Sequence, residues 1–263
     1  MARGTVRPLV VENTAAIRGD TVARPVATWL PATITAAVPL TERSRSLRLV
    51  VPGWRGNVPG QHVDIRLTAP DGYQAVRSYS LATSGPGEHI ELAIDRLPDG
   101  EVSPYLVDVA EVGDKVEVRG PLGGWFVWRP GDPRPVQMIA GGSGVVPFVA
   151  MIRAREAAPA GNPFRLLYSV RSPAAAMYRD YLEHSPVGTT VNWIYTRNPP
   201  PGSSRPAGRL TSIDLDSHVI PVEQDPLTFV CGSTGFAERV SQMLIERGHP
   251  ASMIRIERYG DSR

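Results

Sequence analysis

The sequence predicts two domains in series: an antiparallel β-barrel or sandwich, then a parallel β-sheet with helices on both faces. Three observations carry this expectation. From about residue 30 to residue 128, short apolar alternations recur between glycine-bearing turns, the pattern of many short strands. Arg129-Pro130-Gly131-Asp132-Pro133-Arg134-Pro135 then breaks the pattern with three prolines and a glycine, and reads as a linker. Beyond it, short apolar runs alternate with helical periods, as strand–helix–strand units do.

Residues 1–29 show no sustained period and read as an N-terminal arm. In the first domain, residues 30–132, strands are expected at Thr33–Val38, Ser46–Val51, Val63–Leu67, Ser78–Thr83, Ile90–Ile94, Val116–Val118 and Trp125–Trp128. Pro52-Gly53, Pro59-Gly60, Asp71-Gly72, Pro86-Gly87, Asp99-Gly100 and Gly113-Asp114 supply the turns. A short helix fits Val102–Val109. In the second domain, residues 133–263, strands are expected at Val136–Ala140, Phe164–Val170, Thr190–Tyr195, Leu227–Cys231 and Met253–Ile256. Helices are expected at Val145–Ala157, Met177–Glu183 and Phe236–Arg247, the last with Val240, Met243 and Leu244 on one face.

Composition narrows the function. Of 263 residues, 42% are apolar and 21% charged, and no apolar run approaches the ~18 residues of a membrane helix. A net charge of +2 from 28 basic and 26 acidic residues gives no reason to expect nucleic acid. Lys115 is the only lysine, so the basic charge is nearly all arginine, which suits forked recognition of phosphate. Cys231 is the only cysteine, which excludes an intrachain disulfide and a cluster held by four thiolates of this sequence. The stretch Leu9-Val10-Val11 is too short for a signal-peptide core, so the expected compartment is the cytoplasm.

The strand Arg77-Ser78-Tyr79-Ser80 is unusual for a core. A cation, a phenol ring and two hydroxyls make a poor interior but a good wall for a ligand with anionic, flat and hydrogen-bonding parts, as a flavin nucleotide has. The same string also fits a plain exposed strand edge. Gly141-Gly142-Ser143-Gly144 follows the first strand of the second domain and opens its first helix, where bare backbone N–H groups can face a pyrophosphate. It lacks the third glycine of the full dinucleotide fingerprint, and a tight strand-to-helix turn is the alternative. Cys231-Gly232 ends a second parallel strand and should share its crevice; Cys231 there either borders a planar ring or is a small buried residue. Arg171, Arg197 and Arg209 each follow a strand of the second domain and could clamp a phosphate, or are surface arginines.

Taken together, these segments resemble the ferredoxin–NADP reductase superfamily of flavoproteins over about residues 30–260. Seven pieces stand in the family's order: Pro59-Gly60-Gln61, Arg77-Ser78-Tyr79-Ser80, Gly100-x-Val102-Ser103, Gly120-Pro121-x-Gly123, Gly141-Gly142-Ser143-Gly144-x-x-Pro147, Cys231-Gly232 and Glu257-Arg258-Tyr259-Gly260. The resemblance implies a six-stranded flavin-binding barrel followed by a pyridine-nucleotide domain, with FAD and NADPH (or NADH) as cofactors. It places Arg77 at the flavin pyrophosphate, Tyr79 against the flavin ring and Ser80 near N5, the hydride-accepting atom. Ser78 completes that motif. Gly100, Val102 and Ser103 would serve the phosphates, and Gly141 to Gly144 the nicotinamide nucleotide. Cys231, with Gly232 beside it, would border the nicotinamide. Glu257 and Tyr259 match the family's Glu-x-aromatic ending, although four residues follow Tyr259 here. Arg171, Arg197 and Arg209 match positions that hold a 2′-phosphate, which favours NADPH.

The implied enzyme is an NAD(P)H-dependent flavoprotein oxidoreductase. Many relatives carry a fused ferredoxin with a Cys-x4-Cys-x2-Cys run. With one cysteine, this sequence is expected to deliver electrons to a separate acceptor: a ferredoxin, an oxygenase or another metalloenzyme. A free-flavin or quinone reductase is the alternative within enzymes, and a flavin-bound regulatory subunit without turnover the alternative outside them.

Overall fold

The structure, a computed structural model, describes residues 28–158, 161–184 and 186–260. The expected N-terminal arm therefore lies almost wholly outside the described residues. The first domain is a six-stranded antiparallel sheet built from β1 (Trp29–Thr41), β2 (Ser44–Val50), β3 (His62–Thr68), β4 (Gln74–Ser80), β5 (His89–Asp95) and β6 (Lys115–Leu122). Its order is β4-β3-β6-β1-β2-β5, and the sheet curls so that Leu81, just past β4, bridges to Leu92 of β5. Alternate residues such as Ile34, Leu47, Leu49, Val63, Ile65 and Val118 fill the barrel, as period-2 patterning demands.

The second domain is a five-stranded parallel sheet of β7 (Val136–Gly141), β8 (Phe164–Val170), β9 (Thr189–Tyr195), β10 (Leu227–Ser233) and β11 (Ile254–Tyr259), in the order β11-β10-β7-β8-β9. The helices are α1 (Val146–Glu156), α2 (Arg179–Glu183), α3 (Ser212–His218) and α4 (Thr234–Ile245). Helix α1 packs with Met138, Leu166 and Phe229 on one face, whereas α3 and α4 cover Ile139, Leu167 and Val230 on the other. Because α1 is wedged between the sheet and the barrel residues Ala82 and Ala93, it is apolar nearly all round.

Three local expectations are corrected. Trp125–Trp128 forms no strand. Phe126 and Trp128 instead cross to the second domain, where they meet Phe229 and Phe164 edge-on at 5.2 and 5.0 Å. Pairs of this geometry contribute about 0.5–1.5 kcal/mol beyond the area they bury, which ties the domains together. Strand β4 spans Gln74–Ser80 rather than Ser78–Thr83, so Ser80 sits at its exit. Helix α3 was not anticipated, because seven residues carry little periodicity. Its signal was the Thr211-x-x-Asp214 capping box, in which the Thr211 hydroxyl and the Asp214 carboxylate satisfy each other's backbone N–H. The short helix expected at Val102–Val109 is present as a π-helical turn, Tyr105–Val109.

Candidate active site

Strand β4 lies at the edge of the barrel sheet, and most of its side chains are exposed. Its exit is fixed by two loop contacts: Leu81 N–H donates to the Gln61 carbonyl (3.0 Å) and Ala82 N–H to the Glu91 carbonyl (2.8 Å). The Pro59-Gly60-Gln61 turn is in turn tied down, since Gln61 Nε2 donates to the Gly123 carbonyl at 2.9 Å. Gly60 has φ +95°, and a Cβ there would lie 2.0 Å from the Phe126 carbonyl oxygen, so only glycine fits.

The four residues of the Arg77–Ser80 motif divide. Arg77 is about half exposed and pairs with Glu101 at 3.0 Å, while Tyr73 donates its hydroxyl to the same carboxylate at 2.6 Å. Tyr79 packs its ring on the barrel core. Ser78 gives its hydroxyl to Asp64 at 2.6 Å, a buried carboxylate that also pairs with the partly exposed Arg119. Ser80 donates to Glu257 Oε1 at 3.0 Å, across the domain boundary. Near the short helix, Ser103 Oγ accepts the Leu97 N–H at 3.0 Å and keeps its own proton to donate. Val102 is buried in the barrel core, and Gly100 packs beside Ser103.

The strand order puts a topological switch point between β7 and β10, since the chain leaves β7 toward β8 on one side and returns to β10 on the other. Gly141 ends β7, Cys231 and Gly232 lie near the end of β10, and on β11 Glu257 lies opposite Cys231 and Tyr259 opposite Ser233. Gly141 and Tyr259 line a cleft at this point, whereas Cys231, Gly232 and Glu257 do not line it. The glycines have a packing reason as well as a ligand reason. A Cβ on Gly144 would lie 2.3 Å from the Cys231 carbonyl oxygen, and one on Gly141 or Gly232 would enter the Phe236 ring. Gly142 holds φ +56°, and Tyr259 donates its hydroxyl to the Gly141 carbonyl. A cleft of about 480 Å³ opens here, lined among others by Gly142, Ser143, Arg171, Thr196 and Asp95 of the barrel. Arg197 and Arg209 do not line it. Arg197 follows the edge strand β9, its N–H bonded to the Arg171 carbonyl at 3.0 Å, and Arg209 is exposed beyond it.

Sequence reasoning missed Phe236, Asp95 and the hydroxyls of Ser169, Ser172 and Thr196, which also line the cleft. The hydroxyl residues had a signal in their places at strand ends. Phe236 had none beyond its place in the first turn of α4, and Asp95 had none because its relation to the cleft exists only once the barrel meets the second domain.

Electrostatics single out one group. Burial pushes the Glu257 carboxyl up to about 7, against the downward pull of the Ser80 hydrogen bond, and Oε2 has no partner among the described residues. Burial, with the Glu257 charge, also pushes the Cys231 thiol well up, so it stays a neutral thiol. A group whose folded value is raised gives stability that is full below its unfolded value and is lost as pH climbs through the folded one. Stability of the protein should therefore fall between about pH 5 and 8, by up to about 3 kcal/mol from this group. Glu257→Gln, with no charge to bury, should flatten that part of the melting-temperature profile; an unchanged slope would show that Glu257 ionises freely. No group of three His, Cys, Asp or Glu able to hold a metal occurs among the described residues, nor any helix long and apolar enough to cross a membrane.

An exposed edge strand on a barrel, facing glycine turns at the switch point of a parallel sheet, defines a two-domain flavin- and nicotinamide-binding protein. The comparisons with known proteins agree. Residues 32–127 match the oxidoreductase FAD-binding domain and residues 138–242 the oxidoreductase NAD-binding domain. The chain is 30% identical over 204 residues to a flavohemoprotein of Pseudomonas aeruginosa, covering 77% of this chain and 51% of that protein. It is 33% identical over 150 residues to the propane 2-monooxygenase reductase component of Mycolicibacterium smegmatis, covering 56% and 42%. In structure it is similar to the ferredoxin reductase in carbazole 1,9a-dioxygenase, with TM-score 0.76 and 24% identity over 89% of this chain and 70% of that one. The chain carries an oxidoreductase FAD-binding domain followed by an oxidoreductase NAD-binding domain, in the two-domain fold of the ferredoxin–NADP reductase superfamily. It spans about half the length of the flavohemoprotein.

Proposed function

We propose that this chain is an NAD(P)H-dependent flavoprotein reductase that takes hydride from NADPH onto FAD and passes the electrons to a separate acceptor such as a ferredoxin or an oxygenase. The observation that carries this reading is the Ser80–Glu257 hydrogen bond, which sets the expected flavin strand of the barrel against the strand ends of the nucleotide sheet. The chemistry that FAD supplies when bound is acceptance of two electrons from a nicotinamide and their release one at a time.

The residues fit that cofactor. The half-exposed Arg77 guanidinium is available to the pyrophosphate once it leaves Glu101, and Ser103 keeps a free proton for the phosphates. Tyr79 offers a ring, and Ser80 a hydroxyl at the domain boundary. Gly141, Gly142 and Ser143 line the crevice that would take a nicotinamide nucleotide, and the buried Cys231 thiol, which does not line it, stays neutral and does not act as a nucleophile. Glu257, poised near neutrality, can hold a proton beside Ser80 at the pH of the reaction. The chain's contribution is then mainly proximity and orientation. Arg171 in the cleft supports NADPH over NADH, with Arg197 and Arg209 as outlying cations. Names among the relatives, such as a monooxygenase reductase component, support an oxygenase-type acceptor.

Purified protein reconstituted with FAD should bleach on addition of NADPH under anaerobic conditions, and a protein that takes up no FAD would rule the reading out. The kcat/KM for NADPH should exceed that for NADH, and Arg171→Ala should narrow the ratio. Assays with ferredoxin, cytochrome, free flavin and quinone separate the proposed acceptor from a free-flavin or quinone reductase.

A further inference from the structure

Away from the crevice, a buried carboxylate joins the two domains. Glu91 of β5 is 5% exposed, although its neighbours Ile90 and Leu92 make the strand apolar. Its Oε1 accepts the Ser46 hydroxyl at 3.0 Å and the Tyr178 hydroxyl at 2.7 Å. Its Oε2 receives Arg153 Nη1 at 3.2 Å, with the exposed Arg48 at 3.7 Å. Ser46 and Arg48 belong to the barrel, but Tyr178 and Arg153 come from the nucleotide domain. Arg153 Nη1 also donates to the Ala82 carbonyl at 3.0 Å, and its guanidinium lies over the Tyr178 ring at 5.2 Å. Tyr178 is held with φ 54°, a left-handed conformation rare for a non-glycine residue, and at 8% exposure its ring is buried.

These contacts have a direction. Ala82 lies two residues after Ser80, and Arg153 lies on α1, the helix that the Gly141–Gly144 turn opens. The charged group that fixes the exit of the flavin strand is thus carried by the helix that fixes the nucleotide turn. We infer that Glu91, Arg153 and Tyr178 form an interdomain latch that positions Ser80 and the flavin edge relative to the nicotinamide crevice. None of the three lines the cleft at the strand ends, so they are positioning residues. The latch rests on the hydride-transfer reading proposed above, and it adds that hydride transfer depends on buried charge at the boundary as well as on the crevice.

The carboxylate is the hub because it alone can accept from both domains at once. Charge-assisted bonds of this kind tolerate little lateral slip, whereas the surrounding aliphatic packing would allow it. A displacement of about 1 Å at a reacting pair can lower a rate by roughly 100-fold.

The test uses Tyr178→Phe, which keeps the ring and removes the hydroxyl, and Glu91→Gln, which keeps the shape and removes the charge. In stopped-flow reduction at saturating NADPH, both variants should retain FAD and reduce it at least tenfold more slowly, with KM for NADPH changed less than threefold. The FAD-free proteins supply a second readout: amide hydrogen exchange in segments 81–93 and 176–183 should quicken in both variants while β8 and β10 keep their protection. Wild-type reduction rates with quickened exchange would overturn the latch, as would slowed reduction that merely follows a lowered melting temperature and is recovered on cooling. Failure of the wild-type protein itself to reduce FAD would overturn the underlying reading instead.

Discussion

Ser80→Ala should keep FAD bound and slow its reduction by NADPH about 100-fold, the order found when one preorganised donor is removed from a site of developing charge. The surroundings make this a clean deletion. Leu81 and Ala82, just after Ser80, hold the backbone through Gln61 and Glu91, so the strand exit stays in place and the loss falls on the hydroxyl and on the Glu257 Oε1 that it bonds. Arg77→Ala should have the opposite profile. Among the described residues its guanidinium pairs only with the exposed Glu101 and the Val76 carbonyl, so truncation leaves the barrel intact and removes the cation proposed to face the pyrophosphate. A charge-assisted hydrogen bond is worth about 1.5–3 kcal/mol, which is roughly 10- to 150-fold in FAD affinity. Flavin content by absorbance and single-turnover reduction separate the two effects. Full flavin occupancy in Arg77→Ala, or an unslowed Ser80→Ala, would show that this strand does not face the flavin.

Those residues stand out in the sequence because their signals are local. A strand that alternates Arg, Ser, Tyr and Ser cannot be a core strand, and β4 is indeed an exposed edge. The glycine turns were legible for the same reason: a strand that stops on glycine and is followed by a helix marks itself. Arg171, Arg197 and Arg209 show where local signals end. All three are expected after second-domain strands, yet only Arg171 lines the cleft. The chain leaving β9 reaches the cleft at Thr196 but not at Arg197, and Arg209 follows no strand, lying exposed in the irregular stretch between β9 and α3. Glu91 shows the other limit. Within β5 it reads as a polar interruption, and its partners Arg153 and Tyr178 lie 62 and 87 residues away in the other domain. The strand expected at Trp125–Trp128 failed for the same cause: its aromatic run was shaped by the neighbouring domain rather than by a sheet.

Gly144→Ala should damage the nucleotide crevice while sparing the flavin barrel. The turn and the end of β10 approach so closely at this point that a Cβ would lie 2.3 Å from the Cys231 carbonyl oxygen, 2.5 Å from its carbon and 2.9 Å from the Gly232 nitrogen. All three are backbone atoms, so no side-chain rotation can relieve the clash; the two turns must part. Overpacking of this kind costs about 1–3 kcal/mol, or roughly 2–10 °C in melting temperature for a chain of this size. The functional consequence is larger, because Gly141, Gly142, Cys231 and Gly232 all move with the turns while Arg77, Tyr79 and the barrel do not. KM for NADPH should rise at least tenfold, with FAD affinity within about twofold of wild type, since parting the two turns removes hydrogen bonds to the nucleotide worth about 1 kcal/mol each. A Gly144→Ala protein with an unchanged KM would mean that the nicotinamide nucleotide binds away from this turn. In that case the glycine is explained by the packing of α1 against β10 alone.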